Sequence, residues 1–146
     1  HFKHESMFRF SPDRSYVNLE EDLADSYELS EDKKTYTIHI REGLRWSDGE
    51  PFTSRDVEFY WNDVMNSRAL SATLGLETFD GEIEVVDENT FEVHFDEPNG
   101  LFMHAQAERG RVLWNQAPAH YLSQFHAKYV SKSELDAKVD KADVDT

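Results

Sequence analysis

The stretch LRWSDGEPFTSRDVEFYW, residues 44–61, places several carboxylates close together in sequence. Asp48 and Glu50 could serve as a general acid and a general base if both side chains faced one pocket. A turn explains the same residues without chemistry. The Asp48-Gly49 pair is typical of turns because glycine adopts a positive φ at no steric cost, and Pro51 restricts the residue before it to extended conformations. We therefore predict a structural turn here and no catalytic carboxylate.

A helix is predicted directly after this turn. Thr53 can cap its first residue, and Asp56 stands three positions later, where a capping box requires an acid. The helix should run over about 54–65, because apolar residues recur at the spacing of one helical face. The residues of that face are Val57, Tyr60, Trp61 and Val64.

Seven histidines suggest a metal site as an alternative source of chemistry. His104 precedes Glu108 by four residues, a spacing that puts both on one helical face, but no third ligand has a position set by the sequence. His39 and His94 are predicted on the outward faces of strands. The chain has no cysteine, and no His-Glu-x-x-His, P-loop or Gly-x-Ser-x-Gly motif occurs. We predict no metal ligands, no cofactor and no catalytic residues.

Among the aromatic residues, Trp114 is the candidate for ligand contact. It lies between Arg111 and Asn115 in a segment without regular periodicity. An aromatic ring beside amide groups suits sugar rings and peptide side chains alike. The alternative is that Trp114 packs inside the protein, and the sequence leaves both interpretations open.

Charge and length limit the class of partner. Thirty acidic and fifteen basic residues give a formal net charge of −15. Such a surface is unsuited to nucleic acid, which is bound through clustered Lys and Arg, and to anionic membranes. The 146 residues fit one domain. No apolar run approaches the roughly 20 residues of a membrane-spanning helix.

Alternating apolar and polar residues predict two β-hairpins, over about 24–41 and 81–95. Short helices are predicted over 101–107 and about 118–126, with a weakly amphipathic helix or a frayed end over 131–146. The predicted class is α+β, a mostly antiparallel sheet of two hairpins with a packed amphipathic helix and several short helices. The sheet residues that should meet the helix are Tyr36, Ile38, Ile40, Phe91, Val93 and Phe95.

The run LADSYELSEDKKTYTIHIREGLRWSDGEPFTSRDVEFYWNDV, residues 23–64, closely resembles a region of the family 5 extracellular solute-binding proteins. These are the dipeptide-, oligopeptide- and nickel-binding components of ABC importers. The matching positions before the turn are Leu23, Ala24, Tyr27, Ser30, Asp32, Tyr36, Thr37, Ile40, Arg41 and Gly43. The family motif continues, in a role that we predict to be structural, with Trp46, Asp48, Gly49, Pro51, Phe52, Thr53, Asp56 and Val57.

The resemblance continues more loosely over 85–98 and 117–129, whereas 66–82 match no family pattern. Family members are several times longer and have two lobes that close over a ligand. The resemblance therefore implies a fragment of a two-lobed fold of the periplasmic-binding-protein type. In it, residues 1–130 would form the small accessory domain and residues 131–146 a weakly structured or helical C-terminal end.

The resemblance also implies a function, namely the capture of an extracellular solute for ABC import without chemical conversion. The solute would be a peptide or an oligosaccharide, and the partners would be the ABC permease subunits. The location would be extracytoplasmic, either periplasmic or as a cell-surface lipoprotein, and the domain itself would be monomeric. The alternative is a protein-interaction or spacer domain that makes no ligand contact of its own.

Overall fold

The computed structural model describes residues 7–10, 19–67, 81–109 and 117–144. Its larger sheet is built from two hairpins. Strands β3 (Ala24–Leu29) and β4 (Thr35–Ile40) form the first hairpin, and β5 (Glu82–Asp87) and β6 (Thr90–His94) form the second. The strand order is β3-β4-β6-β5, and every neighbouring pair is antiparallel. The predicted fold class, an open antiparallel sheet with several helices, is confirmed.

The two faces of this sheet differ in character because side chains alternate along β4 and β6. The inner face is buried under the helix that follows the turn, and its residues are Tyr36, Ile38, Ile40, Ile83, Phe91 and Val93. The outer face is polar and partly exposed, and its residues include Thr35, Thr37, His39, Glu92 and His94. All six sheet residues predicted to face the helix are buried, with Phe95 at 9% exposure the least so.

A second, two-stranded sheet joins β1 (Phe8–Phe10) to β2 (Leu19–Glu21). The sequence did not predict it, since each strand has three residues and shows no clear alternation. Met7 links it to the larger sheet, because the Met7 carbonyl accepts hydrogen bonds from the backbone N–H groups of Asp22 (3.2 Å) and Ala24 (3.1 Å).

The helix after the turn begins as predicted and then changes type. Helix α1 covers Ser54–Phe59 and continues as a π-helix over Tyr60–Met65. The bond from Asn66 N to Trp61 O, 3.0 Å long, has the i to i+5 spacing of a π-helix. This wider turn shifts the buried positions along the chain by comparison with regular α-helical spacing.

One residue differs from the predicted helical face. Val57, Tyr60 and Trp61 are buried as predicted. Val64 is only partly buried, whereas Met65, which follows the buried Trp61 by four residues and Tyr60 by five, is 2% exposed. The Trp61 indole N–H donates to the Gly81 carbonyl at 2.9 Å.

The remaining helices are short except for the last. Helix α2 covers Phe102–Arg109, and α3 covers Ala119–Leu122 before a 3-10 turn over Ser123–Phe125. Helix α4 covers Lys132–Val144. The single helix predicted over 118–126 is therefore two short helical turns. Within the described ranges, none of these helices has the length and apolar character needed to cross a membrane.

Candidate functional site

The Asp48-Gly49 corner has the geometry of a turn. The Trp46 and Glu50 backbones hydrogen bond across it, with Trp46 N 2.8 Å from Glu50 O. Gly49 has a φ of +93°, in the region that favours glycine. Asp48 Oδ1 accepts from the Glu50 backbone N–H at 3.2 Å, which stabilises the turn locally. One oxygen of Asp48 thus performs the role that the sequence predicts.

The second oxygen of Asp48 makes a contact that the local sequence does not indicate. Asp48 Oδ2 lies 2.7 Å from His120 Nε2, at the start of α3. This hydrogen bond lowers the pKa of the Asp48 carboxyl and raises the pKa of the His120 imidazole, so the pair favours a carboxylate and an imidazolium. Asp48 is therefore unsuited to act as a general acid near neutral pH.

Like Asp48, Asp56 uses one carboxylate oxygen for a local hydrogen bond and the other for a distant one. Oδ2 accepts from the Thr53 backbone N–H at 2.9 Å, which is the acid half of the predicted capping box. Oδ1 accepts from the Ala119 backbone N–H at 2.8 Å. Because Asp56 is only 4% exposed, both bonds are shielded from water. One buried carboxylate therefore joins the beginnings of α1 and α3.

Asp63, in the π-helical part, is the third aspartate that contacts the segment 119–129. Its side chain is buried and lies 2.9 Å from Lys128 Nζ, and the Tyr129 hydroxyl donates to it at 2.5 Å. His126 Nε2 lies 3.1 Å from the Asp63 backbone carbonyl oxygen. The hydrogen bond to Asp63 is the main cause of the raised pKa of both the Lys128 ammonium and the Tyr129 phenol.

Asp48, Asp56 and Asp63, which we call the aspartate seam, all hold the segment 119–129 against the turn and helix α1. Aromatic side chains also pack across the same junction between α1 and the segment 119–129. Phe59 packs on the rings of His126 and Tyr129, with centroids 6.1 and 6.0 Å apart. The sequence predicts one buried face of the helix, whereas the structure buries a second face, towards the C-terminal segment.

A groove of about 490 Å³ runs along this seam. Its walls come from the turn, from α1 with its π-helical extension and from the 119–129 segment. Its polar groups include Glu50, Arg55, Asn62 and His120. Asp56 and Asp63 also line the groove, but both carboxylates are already occupied by internal partners. The groove therefore lies over a structural junction.

The other motif residues pack around the turn. Trp46 meets Phe52 edge to face with centroids 5.4 Å apart and contacts the His120 ring at 6.4 Å. Phe52 and Val57 are buried. Trp114, the predicted ligand contact, lies outside the described residues. Residues 68–80, which make up most of the segment that matches no family pattern, also lie outside them.

Sequence reasoning missed the partners of the seam, which are His120, Lys128 and Tyr129. Their contacts with the aspartates join residues 65 to 72 positions apart. The one available signal was the spacing of Asp56 and Asp63, which are seven residues or about two helical turns apart.

The chain belongs to the family described as bacterial extracellular solute-binding proteins, family 5 Middle, whose sequence model matches residues 18–145. The periplasmic alpha-galactoside-binding protein of Rhizobium meliloti (strain 1021) is 37% identical over 124 residues, 80% of this chain and 17% of that protein. The oligopeptide-binding protein OppA of Bacillus subtilis (strain 168) is 31% identical over 98 residues, 57% of this chain and 18% of that protein.

Solved structures share the fold. An oligopeptide-binding protein OppA matches with a TM-score of 0.72 and 34% identity, over 83% of this chain and 19% of that one. The periplasmic binding protein MelB of Agrobacterium fabrum C58, solved with stachyose, matches with a TM-score of 0.66 and 26% identity. The match covers 89% of this chain and 20% of MelB. The chain spans no more than 20% of the length of each of these four relatives. Its fold is therefore a fragment of the periplasmic binding protein fold.

Proposed function

We propose that the protein to which this chain belongs captures an extracellular peptide or oligosaccharide and delivers it to an ABC importer. The observation that carries the proposal is the family match over residues 18–145. The solute class follows from the relatives, one of which is named for alpha-galactosides and another for oligopeptides. Capture would proceed by closure of two lobes, in which the ligand stabilises the closed state by contacting both.

Within that protein, this chain has the role of the small accessory domain, formed by residues 1–130 and followed by the C-terminal helical end. The aspartate seam supports this role because its carboxylates stabilise the domain internally. The motif residues Trp46 to Val57 are structural in this proposal, and Trp114 is the ligand contact. No step requires catalysis, a metal or another cofactor.

The location proposed is extracytoplasmic, periplasmic or as a lipoprotein at the cell surface, as the names of the relatives suggest. The partners are the permease subunits of the importer. The domain itself is monomeric in this proposal. Nucleic acid is not a partner, given the net charge of −15.

Calorimetric titration of the whole protein and of this 146-residue chain, side by side, tests the proposal. Stachyose and raffinose serve as oligosaccharide probes, and di- to pentapeptides serve as peptide probes. We expect the whole protein to bind one class and the chain alone to bind neither, because lobe closure needs both sides of the cleft. Micromolar binding by the chain alone would contradict its accessory role, and a whole protein that binds neither class would contradict solute capture.

A second candidate function is supported by exposed aromatic side chains on the 121–129 segment. Tyr121, Phe125 and Tyr129 are 53%, 47% and 52% exposed, and the first two pack edge to face at 5.5 Å. A domain with such a surface could act as a spacer or a protein-interaction module without touching the solute. Binding of the isolated chain to the purified permease would favour this function over solute contact.

A further inference from the structure

Three potential metal ligands meet on the outer face of the larger sheet, on the side away from helix α1. The register of β5 and β6 places Glu84 opposite Glu92 and Glu82 opposite His94. His94 Nε2 lies 3.2 Å from Glu92 Oε2 and 3.5 Å from Glu84 Oε2. One ligand atom from each of Glu84, Glu92 and His94 lies within 4.8 Å of the others. We call these three residues the Glu-Glu-His trio.

The trio does not have the geometry of an ordinary hydrogen-bonded ion pair. His94 Nε2 is shielded from solvent and makes no hydrogen bond within the described structure, despite its closeness to two carboxylate oxygens. Glu84 and Glu92 are directly opposite each other on neighbouring strands, an arrangement that like charges make unfavourable. Among the ion pairs of the described residues, neither glutamate has a lysine or arginine as its partner.

Two hydroxyl groups of β4 orient the trio from outside. Thr35 Oγ1 lies 3.2 Å from His94 Nδ1, and Thr37 Oγ1 donates to Glu92 Oε1 at 3.1 Å. In the tautomer that carries its proton on Nδ1, His94 donates to Thr35 and turns an unprotonated Nε2 towards the glutamates. Hydrogen bonds of this kind orient metal-bound histidines and carboxylates in known sites.

We propose that the Glu-Glu-His trio binds a divalent first-row transition-metal ion, with Zn²⁺ as the reference ion. Imidazole nitrogen and carboxylate oxygens are ligands that Zn²⁺ takes at about 2.0–2.2 Å, which separates neighbouring ligands of a tetrahedral site by about 3.4 Å. The observed separations of 3.2 and 3.5 Å lie on either side of that value. Because Glu84 is 73% exposed, water would occupy the fourth position.

This site is separate from the proposed capture of a solute, and the sequence did not predict it. The three ligands come from two strands, and only the register of β5 with β6 brings Glu84 beside the other two. The ion would neutralise the opposed glutamates and connect the two strands of the hairpin.

Titration of the metal-free chain, prepared without a histidine tag, with Zn²⁺ near neutral pH tests the proposal. We expect one equivalent to bind, to raise Tm, and to shift the His94 ring nitrogens in a histidine ¹H–¹⁵N NMR spectrum. Glu84→Gln and His94→Ala should each weaken binding at least about tenfold, and Thr37→Val should weaken it roughly tenfold through Glu92. Glu84 is exposed and its charge opposes that of Glu92, so Glu84→Gln should not lower the metal-free Tm.

His39→Ala is the matched control. His39 lies on the same face of the sheet, but its ring contacts Thr90 at 3.3 Å and not the trio. This variant should retain the Zn²⁺ affinity of the unmodified chain. The proposal is wrong if the unmodified chain binds no Zn²⁺, or if Glu84→Gln and His94→Ala both bind it as tightly as the unmodified chain.

Discussion

At the scale of single residues, two aspartates of the seam, Asp48 and Asp56, each combine a local role with a distant contact. Asp48 and Asp56 have local roles, in a turn and in a helix cap, that their neighbours in sequence predict correctly. Their second oxygens contact His120 and the Ala119 backbone, more than 60 residues away. No local pattern encodes these contacts, because they depend on where the 119–129 segment is placed by the packing of the whole domain.

Asp56 should be the most sensitive carboxylate of the seam to substitution. Asp56→Ala leaves two backbone N–H groups, of Thr53 and Ala119, without their acceptors in a buried site. An unpaired buried donor costs about 1–3 kcal/mol, so we expect the free energy of unfolding to fall by about 2–4 kcal/mol. Urea denaturation followed by circular dichroism measures the change.

Arg55→Ala is the control for this measurement, because Arg55 is exposed in the same helical turn. Its effect should stay within about 0.5 kcal/mol. Asp56→Asn should lie between the two variants, since one acceptor oxygen remains. If Asp56→Ala were as stable as Arg55→Ala, the buried junction between α1 and α3 would contribute nothing measurable.

At the scale of elements, the sequence predicts best where the pattern is long and local. Both hairpins of the larger sheet and the start of α1 follow from alternation and from the Thr53–Asp56 spacing. The π-helical extension is missed because it changes helical periodicity without a Gly or Pro to mark it. The β1-β2 pair is missed because three-residue strands show too little alternation to distinguish them from a loop.

The contact between the turn and α3 should make stability depend on pH. The pKa of His120 is raised above its ordinary 6.5 by Asp48, so its contribution is full below about pH 6.5 and is lost as pH rises through the raised value. The pKa of Asp48 is lowered from 3.8, so its contribution is present above that pH and is lost as pH falls through the lowered value. The pair should therefore stabilise the fold most between about pH 4 and 6.5.

Urea denaturation of the unmodified chain and His120→Ala at about pH 5.5 and 8.5 checks this dependence. The difference in stability between the two proteins should be larger at the lower pH and should shrink in high salt, because both side chains are partly exposed. An equal difference at both pH values would mean that the imidazolium form of His120 contributes nothing.

At the scale of the whole molecule, the fold and the family are better determined by sequence than the ligand contact is. The motif over residues 23–64 specifies a turn, a capped helix and a hairpin, all of which contribute to the stability of the fold. In the function proposed above, selectivity would depend on residues that face the cleft, and this chain spans no more than 20% of the length of the four relatives compared. A motif with a structural role therefore identifies the family without identifying the solute.

Trp114 connects this domain to the solute in our proposal, and its substitution in the whole protein distinguishes contact from packing. If the ring stacks on the solute, Trp114→Ala should weaken binding by at least about tenfold, the scale of an aromatic hot spot, while Tm changes little. Trp46→Ala is the control, because Trp46 packs on Phe52 beside the turn. It should lower Tm and leave the Kd of the folded protein unchanged. A Trp114→Ala protein with lower Tm and an unaltered Kd would instead assign Trp114 to the interior of the domain, and solute recognition would then depend on the rest of the protein.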